Sequence, residues 1–158
     1  MTASRRLLVA AAVLFGSGLL APAAHAQSGP FAGMSGRWAG GGTVTLDDGS
    51  SERIRCRATY AVAGPQLGLT LTCASDSYKL DLEGQVIAQG GVITGTWSES
   101  SRNVTGNLQG RGGNGSFQLV ASGPGFNANI SLTTRGNRQS IVMRADSQFR
   151  GATIALSR

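Results

Sequence analysis

The chain has 158 residues, with 14 lysines and arginines against 8 acidic side chains and a single histidine. That histidine, His25, falls inside an N-terminal export signal, so the mature chain of about 132 residues contains none. It is one domain's worth of protein and can bury roughly 68% of its unfolded surface without a partner or metal. Ser-His-Asp and Cys-His sites are thereby excluded, and the usual zinc and copper ligand sets are missing.

The signal spans residues 1–26. Arg5 and Arg6 precede an apolar run from Leu7 to Leu20, and Ala24-His25-Ala26 supplies the small residues read by signal peptidase. The run is shorter than the roughly 20 residues that span a bilayer, and no later stretch approaches that length, so no transmembrane segment is expected in the mature chain. Ser4-Arg5-Arg6-Leu7-Leu8 partly resembles a twin-arginine signal, while the strong apolar run favours the ordinary secretory route; both stay open. No cysteine follows the cleavage site, so no lipid anchor is expected. Thirteen arginines against the single Lys79 are associated with a GC-rich bacterial genome, and a Gram-negative periplasm is the expected address. Without Arg5 and Arg6 the net charge is about +4. Such a charge serves solubility, or meets anionic lipid, lipopolysaccharide or acidic polysaccharide; export and the lack of interleaved aromatics argue against nucleic acid.

Residues 27–35, with Pro30, read as a flexible lead-in to a single domain over 36–158. Short alternating segments broken by Gly, Asn and Ser every 8 to 12 residues or so then carry the all-β signature. Strands are expected near 37–46, 52–62, 66–73, 78–88, 91–98, 103–110, 115–122, 126–134, 138–144 and 149–157. Links this short allow only antiparallel neighbours, and about eight to ten such strands lose their edges best by closing into an up-and-down barrel; a two-sheet sandwich is the alternative.

A turn at Ala63-Gly64-Pro65-Gln66 sets Val62 against Leu67, Tyr60 against Leu69 and Cys56 against Cys73, close enough for a disulfide. The even pair suits an oxidising compartment. Alternation puts Ile54, Cys56, Ala58, Tyr60 and Val62 inward with Arg53, Arg55 and Arg57 outward. It likewise puts Tyr78, Leu80, Leu82 and Val86 inward, and Phe126, Ala128, Ile130 and Leu132. The last strand turns Ala152, Ile154 and Leu156 inward, which carries Arg150 in as well unless a bulge near Gly151 resets the register. Outer faces rich in Arg, Asn and Thr argue against a membrane barrel, which needs an apolar band with aromatic girdles.

Pairing across Ser98 to Asn103 sets Trp97 against Val104 and Gly95 against Gly106. Two readings follow. Either the tryptophan rings lie across glycines and fill the core while the sheet curls, or the glycines leave a cavity for a small apolar or amphipathic ligand, lined by Trp38, Trp97, Tyr78, Gly95 and Gly106.

Gly36-Arg37-Trp38 resembles the Gly-x-Trp opening of lipocalins and related calycin barrels. That resemblance implies a tryptophan closing the barrel floor and a late arginine, Arg150 or Arg144, packed over it. More broadly, Gly40-Gly41-Gly42 through Asp48-Gly49, Arg55-Cys56-Arg57, Cys73-Ala74-Ser75 and Gly95-Thr96-Trp97-Ser98-Glu99 are similar to a group of small exported alphaproteobacterial proteins without assigned function.

Other chemistry fails on inspection. Lys79 sits on an outer face beside Asp81, as a salt-bridged surface lysine does. Asp81 and Glu83 share a solvated face with no aromatic sugar platform, and Asp47 and Asp48 supply too few oxygens for calcium. No enzyme, cofactor or metal site is expected. The other specific surface feature is the stripe Arg53, Arg55, Arg57, whose mutual repulsion calls either for acidic neighbours such as Asp81 and Glu83 or for an anionic envelope component or protein partner.

Overall fold

The computed structural model describes residues 28–147 and 149–158. The export signal expected over 1–26 lies outside the described residues. Ten antiparallel strands follow one another: β1 (Gly36–Leu46), β2 (Ser51–Ala63), β3 (Gln66–Ala74), β4 (Lys79–Gln89), β5 (Val92–Glu99), β6 (Val104–Gly113), β7 (Ser116–Gly123), β8 (Phe126–Arg135), β9 (Arg138–Ala145) and β10 (Phe149–Ser157). Each pairs with its sequence neighbour, and β10 closes on β1. The barrel, not the sandwich, is the fold.

Local chemistry drives this arrangement. In β2 the buried Ile54, Cys56, Ala58 and Tyr60 alternate with exposed Arg53, Arg55, Arg57 and Thr59. A one-residue slip would put three arginines into the core, so the register is strongly fixed. Gly64 has φ 57°, as a hairpin turn with a left-handed first residue requires. The turn places Cys56 opposite Cys73, and the two are bonded, S–S 2.06 Å. Asn114 and Gly115 take φ 51° and 81°, the pair of left-handed residues that a type I′ turn demands.

Three local expectations meet a different structure or are resolved by it. Trp97 pairs with Gly106 and Glu99 with Val104, so each β5 residue meets a β6 partner two positions further along than a Trp97–Val104 pairing gives, and Gly95 faces Leu108. The cause is Glu99, only 5% exposed. Its carboxylate accepts from the backbone N–H groups of Asp81 (2.9 Å), Ser101 (3.2 Å) and Arg102 (2.8 Å) and is paired with the Arg102 guanidinium at 3.3 Å. The turn is thus built on a buried acid, and an even shift leaves every face unchanged. In β10 the register skips one residue, since Thr45 pairs with Gly151 and Leu46 with Phe149. This bulge turns Arg150 out to solvent and keeps Phe149 against the core.

The third concerns the lead-in. Residues 30–34 form turns, and Phe31 and Met34 are each 3% exposed members of the core. Phe31 stacks on Phe117 with ring centroids 5.5 Å apart, and the Trp38 indole donates to the Met34 carbonyl at 2.8 Å. The segment is a plug. In an up-and-down barrel the even hairpins (β2–β3, β4–β5, β6–β7, β8–β9) share one end with the start of β1, so the plug caps that end. The odd hairpins surround the other, open end.

Beneath the plug lies a buried polar chain. The Tyr60 hydroxyl donates to Gln139 Oε1 at 2.6 Å, and Gln139 Nε2 donates to Thr134 Oγ1 at 2.9 Å. These bonds tie β2 to β9 and β8 across the interior. Burial pushes the Tyr60 phenol well above its ordinary value, against a smaller opposing effect from Gln139. Buried side chains with full hydrogen bonding of this kind fix a unique core arrangement.

Candidate functional site: an open barrel end and a basic wall

Inward-facing side chains differ in how completely they are buried. Near the plug Trp38, Tyr60, Leu67, Ile93, Phe117, Leu156 and Gln139 are all buried. Toward the open end, fully buried Val44, Cys73, Trp97, Leu108, Ala121, Ala128 and Ala145 are interleaved with half-buried inward side chains: Leu69, Leu82, Val86, Leu119, Ile130 and Met143 along the barrel, and Tyr78, Leu80, Val104, Phe126 and Phe149 at the mouth. An inward side chain of a closed barrel keeps exposure only where water reaches inside or across the mouth. Aromatic groups organise the rim. Tyr78 stacks on Phe149 at 6.1 Å, and the Arg102 guanidinium lies over the Tyr78 ring at 4.7 Å. Burial raises the Tyr78 phenol while Arg102 lowers it; the net direction is upward.

The sequence-based site residues separate on this frame. Tyr78 stands at the open rim. Trp97, 7% exposed, packs on Phe126 at 5.4 Å behind that rim and donates to the Ser122 carbonyl at 3.3 Å. Trp38, 1% exposed, belongs to the floor at the capped end. Gly95 and Gly106 do not leave interior space. A Cβ on Gly106 would stand 1.9 Å from the Ser122 carbonyl oxygen and 2.7 Å from the Trp97 indole nitrogen. Glycine is needed there so that β7 and the ring can approach, the curling-sheet reading of the two. Space opens instead as an outward groove of about 700 Å³, flanked by Glu83, Gln85, Thr96, Asn107 and Ser122 with Trp97 and Gly106 at its base.

An arginine does pack over Trp38, but it is Arg158, with its guanidinium carbon 4.6 Å from the ring centroid and Nη1 donating to the Ser35 carbonyl at 2.6 Å. Arg144 and Arg150 are exposed on β9 and β10. The Gly-x-Trp resemblance pointed to them because they lie within late strands; Arg158 reaches the ring because β10 pairs with β1 at its very end, Ser157 opposite Ala39.

The arginine stripe is wider than three residues. Arg37 on β1, Arg53, Arg55 and Arg57 on β2, Arg135 on β8, Arg138 and Arg144 on β9 and Arg150 on β10 are all exposed. The same five strands carry one carboxylate, Glu52, held by the hydroxyls of Ser75 and Ser77. The facing wall, β3 to β7, has two basic and three acidic residues. Asp81 pairs with Lys79 at 2.8 Å, as expected, and so does not compensate the stripe; among the described residues none of Arg53, Arg55 and Arg57 forms an ion pair. Sequence alternation found the β2 stripe. It missed the arginines of β8 to β10 because those strands join the β1–β2 wall only once β10 pairs with β1.

The outward faces are otherwise polar, with Val92 and Val120 the exposed large apolar side chains among the described residues. This is the inverse of the lipid-facing band of a membrane barrel. Among the described residues no helix is long and apolar enough to cross a membrane.

No protein-family model matches the chain, and a search of curated proteins finds no match. Among solved structures the barrel is similar to the S-type phycobiliprotein lyase CPES from Guillardia theta. The two share 6% sequence identity over 79% of this chain and 88% of that one, with a TM-score of 0.61. At that identity the likeness is one of fold alone.

Proposed function

We propose that the protein is an exported, non-enzymatic periplasmic barrel that takes a small apolar or amphipathic molecule through its open end. The observation that carries this reading is the set of half-buried, inward apolar side chains running from Phe126, Phe149 and Val104 at the rim to Leu119 and Ile130 within. An apolar interior with a few polar groups at its mouth suits ligands of that kind. The disulfide supports an oxidising compartment, and a mature chain without histidine supports binding over acid–base catalysis. Native mass spectrometry of the protein purified from its own cells tests it. A stoichiometric small molecule that denaturing extraction releases is the expected result. A clean mass, two hydrogens short of the mature chain, together with no uptake of a polarity-sensitive fluorescent probe, would refute it.

The basic wall favours a second reading, in which the outer face of β8 to β2 engages an anionic envelope component. Reversing Arg53, Arg55 and Arg57 to glutamate would then abolish co-sedimentation with anionic vesicles while leaving probe uptake intact. Unchanged co-sedimentation would remove this reading and spare the first.

A further inference from the structure

One part of the basic wall is more than a charged surface. At the capped end β1, β2 and β10 border an open surface pocket of about 570 Å³, lined by Arg37, Arg57, Arg158, Thr59 and Ser157 over an apolar base of Trp38, Ala39 and Ala58. Register explains its shape. Arg37 pairs with Thr59 and Ala39 with Arg57, so the two outward arginines are diagonal neighbours on adjacent strands, with Cβ atoms about 7 to 8 Å apart or less. Ala39, opposite Ser157 on its other side, is too small to fill the space between them. No acidic side chain lines the pocket, and among the described residues Arg37 and Arg57 take part in no ion pair and no side-chain hydrogen bond. The third arginine is held in place, stacked on Trp38 and anchored to the Ser35 carbonyl.

We propose that this pocket binds a tetrahedral oxyanion, a phosphate or phosphate monoester, with Arg37 and Arg57 as charged donors and Thr59 and Ser157 as hydroxyl donors. Planar guanidinium forks match such oxygens in pairs, and each charged hydrogen bond is about twice as strong as a neutral one. Repulsion between the two arginines, unrelieved by any acidic side chain in the lining, is relieved by the anion. The inference sharpens the basic-wall reading, but the two fail separately, since the pocket adds Arg158 and does not use Arg53 or Arg55.

The test is an amide NMR titration of the mature chain with inorganic phosphate at low salt, on wild type, Arg37→Gln, Arg57→Gln and Arg144→Gln. Shifts confined to Arg37, Thr59, Arg57 and Ser157, with affinity falling roughly ten- to hundredfold in the first two variants and unchanged in Arg144→Gln, are expected. Arg37→Lys should recover only part of the loss, because an ammonium cannot form the fork. Vesicles of phosphatidylglycerol or phosphatidic acid distinguish the sources: competition with inorganic phosphate assigns the site to a lipid headgroup, and vesicle binding insensitive to phosphate and to Arg37→Gln assigns it to a free phosphate compound. Equal weakening by all three neutralising variants, or no localised shift with free phosphate, overturns the pocket. In either case the reversal of Arg53 and Arg55 alone still decides whether the wall binds anionic vesicles.

Discussion

The capped and open ends of this barrel are built from the same kind of hairpin, yet they hold together differently. At the capped end apolar side chains are close-packed under a plug: Phe31 on Phe117, Met34 beside Trp38, Arg158 over the indole, and a buried chain from Tyr60 to Thr134. At the open end several inward apolar groups, among them Val104, Phe126 and Phe149, keep part of their surface beside buried Val44, Cys73 and Trp97, and polar contacts between turns set the geometry, chiefly those made by Glu99. Burial stabilises in proportion to area removed from water, so the capped end should carry most of the folding energy and leave the open end free to serve a ligand. Binding sites are drawn from the less stable part of a fold for this reason.

The largest effects should fall at the capped end. Trp38→Ala removes a 1% exposed ring, its bond to Met34 and the platform under Arg158, and should cost about 3 to 5 kcal/mol in urea denaturation. Toward the open end, where Cys73 pairs with Leu80, Cys56→Ser with Cys73→Ser releases a cross-link between residues 17 apart in sequence; chain entropy puts the loss near 3 kcal/mol. If Trp38→Ala costs less than about 1 kcal/mol, the division between the ends is wrong.

The open end should reveal itself through acid. Asp48, Glu52, Asp81 and Glu99 all lie there, and all have carboxyl groups held below their ordinary values: Asp48 by Ser50, Glu52 by Ser75 and Asp81 by Lys79. For Glu99 burial acts upward, but bonds from the Ser101 hydroxyl and the backbone N–H groups of Asp81, Ser101 and Arg102 outweigh it. A folded value below the unfolded one gives stability that is present above the unfolded value, about 4.3, and lost as pH falls through the folded one. Glu99→Gln should therefore cost about 1.5 to 3 kcal/mol at pH 7 and much less near pH 3, read from denaturation midpoints at both. An equal cost at both pH values would mean that shape, not charge, builds the turn.

Tyr60→Phe tests the opposite pH limb with a smaller effect. It leaves the Gln139 oxygen without its donor and should cost about 1 to 2 kcal/mol at neutral pH. Because burial raises the phenol in the fold, wild type keeps this contribution below the unfolded value, about 10, and loses it as pH rises beyond. The variant should lack that alkaline decline.

Much of this was legible in the sequence. Period-two alternation in β2 set faces and register together, since no other register buries Ile54, Cys56, Ala58 and Tyr60 while exposing the arginines between them. Turn chemistry at Gly64-Pro65 then fixed the disulfide partner. What escaped was non-local. The β5–β6 register depends on a buried glutamate that reads as a surface residue, and Gln139 and Thr134 are polar residues on an inward face whose partners lie on another strand. Phe31 and Met34 sit among Gly, Pro and Ser, a composition that reads as a linker, and only the closed barrel supplies the opening they fill. The candidate site divided the same way. Tyr78 and the β2 arginines were visible by alternation, whereas Arg158 and the arginines of β8 to β10 join the story through ring closure.

The smallest effect expected on stability is also the sharpest probe of the open end. Val104→Thr replaces one methyl group by a hydroxyl of nearly equal volume at the rim, where the side chain is half-buried. A hydroxyl that can reach water avoids the penalty of an unpaired buried group, so the change in unfolding free energy should stay within about 0.5 kcal/mol. An apolar ligand pressed against that position, however, would meet a polar atom it cannot satisfy. Probe affinity should then fall severalfold with the melting curve unmoved, the reverse of Trp38→Ala, which should lower stability with little change in the affinity of the remaining folded protein. A Val104→Thr protein that binds as wild type does would place the ligand away from the rim, and one that unfolds readily would show that the open end is packed as tightly as the capped one.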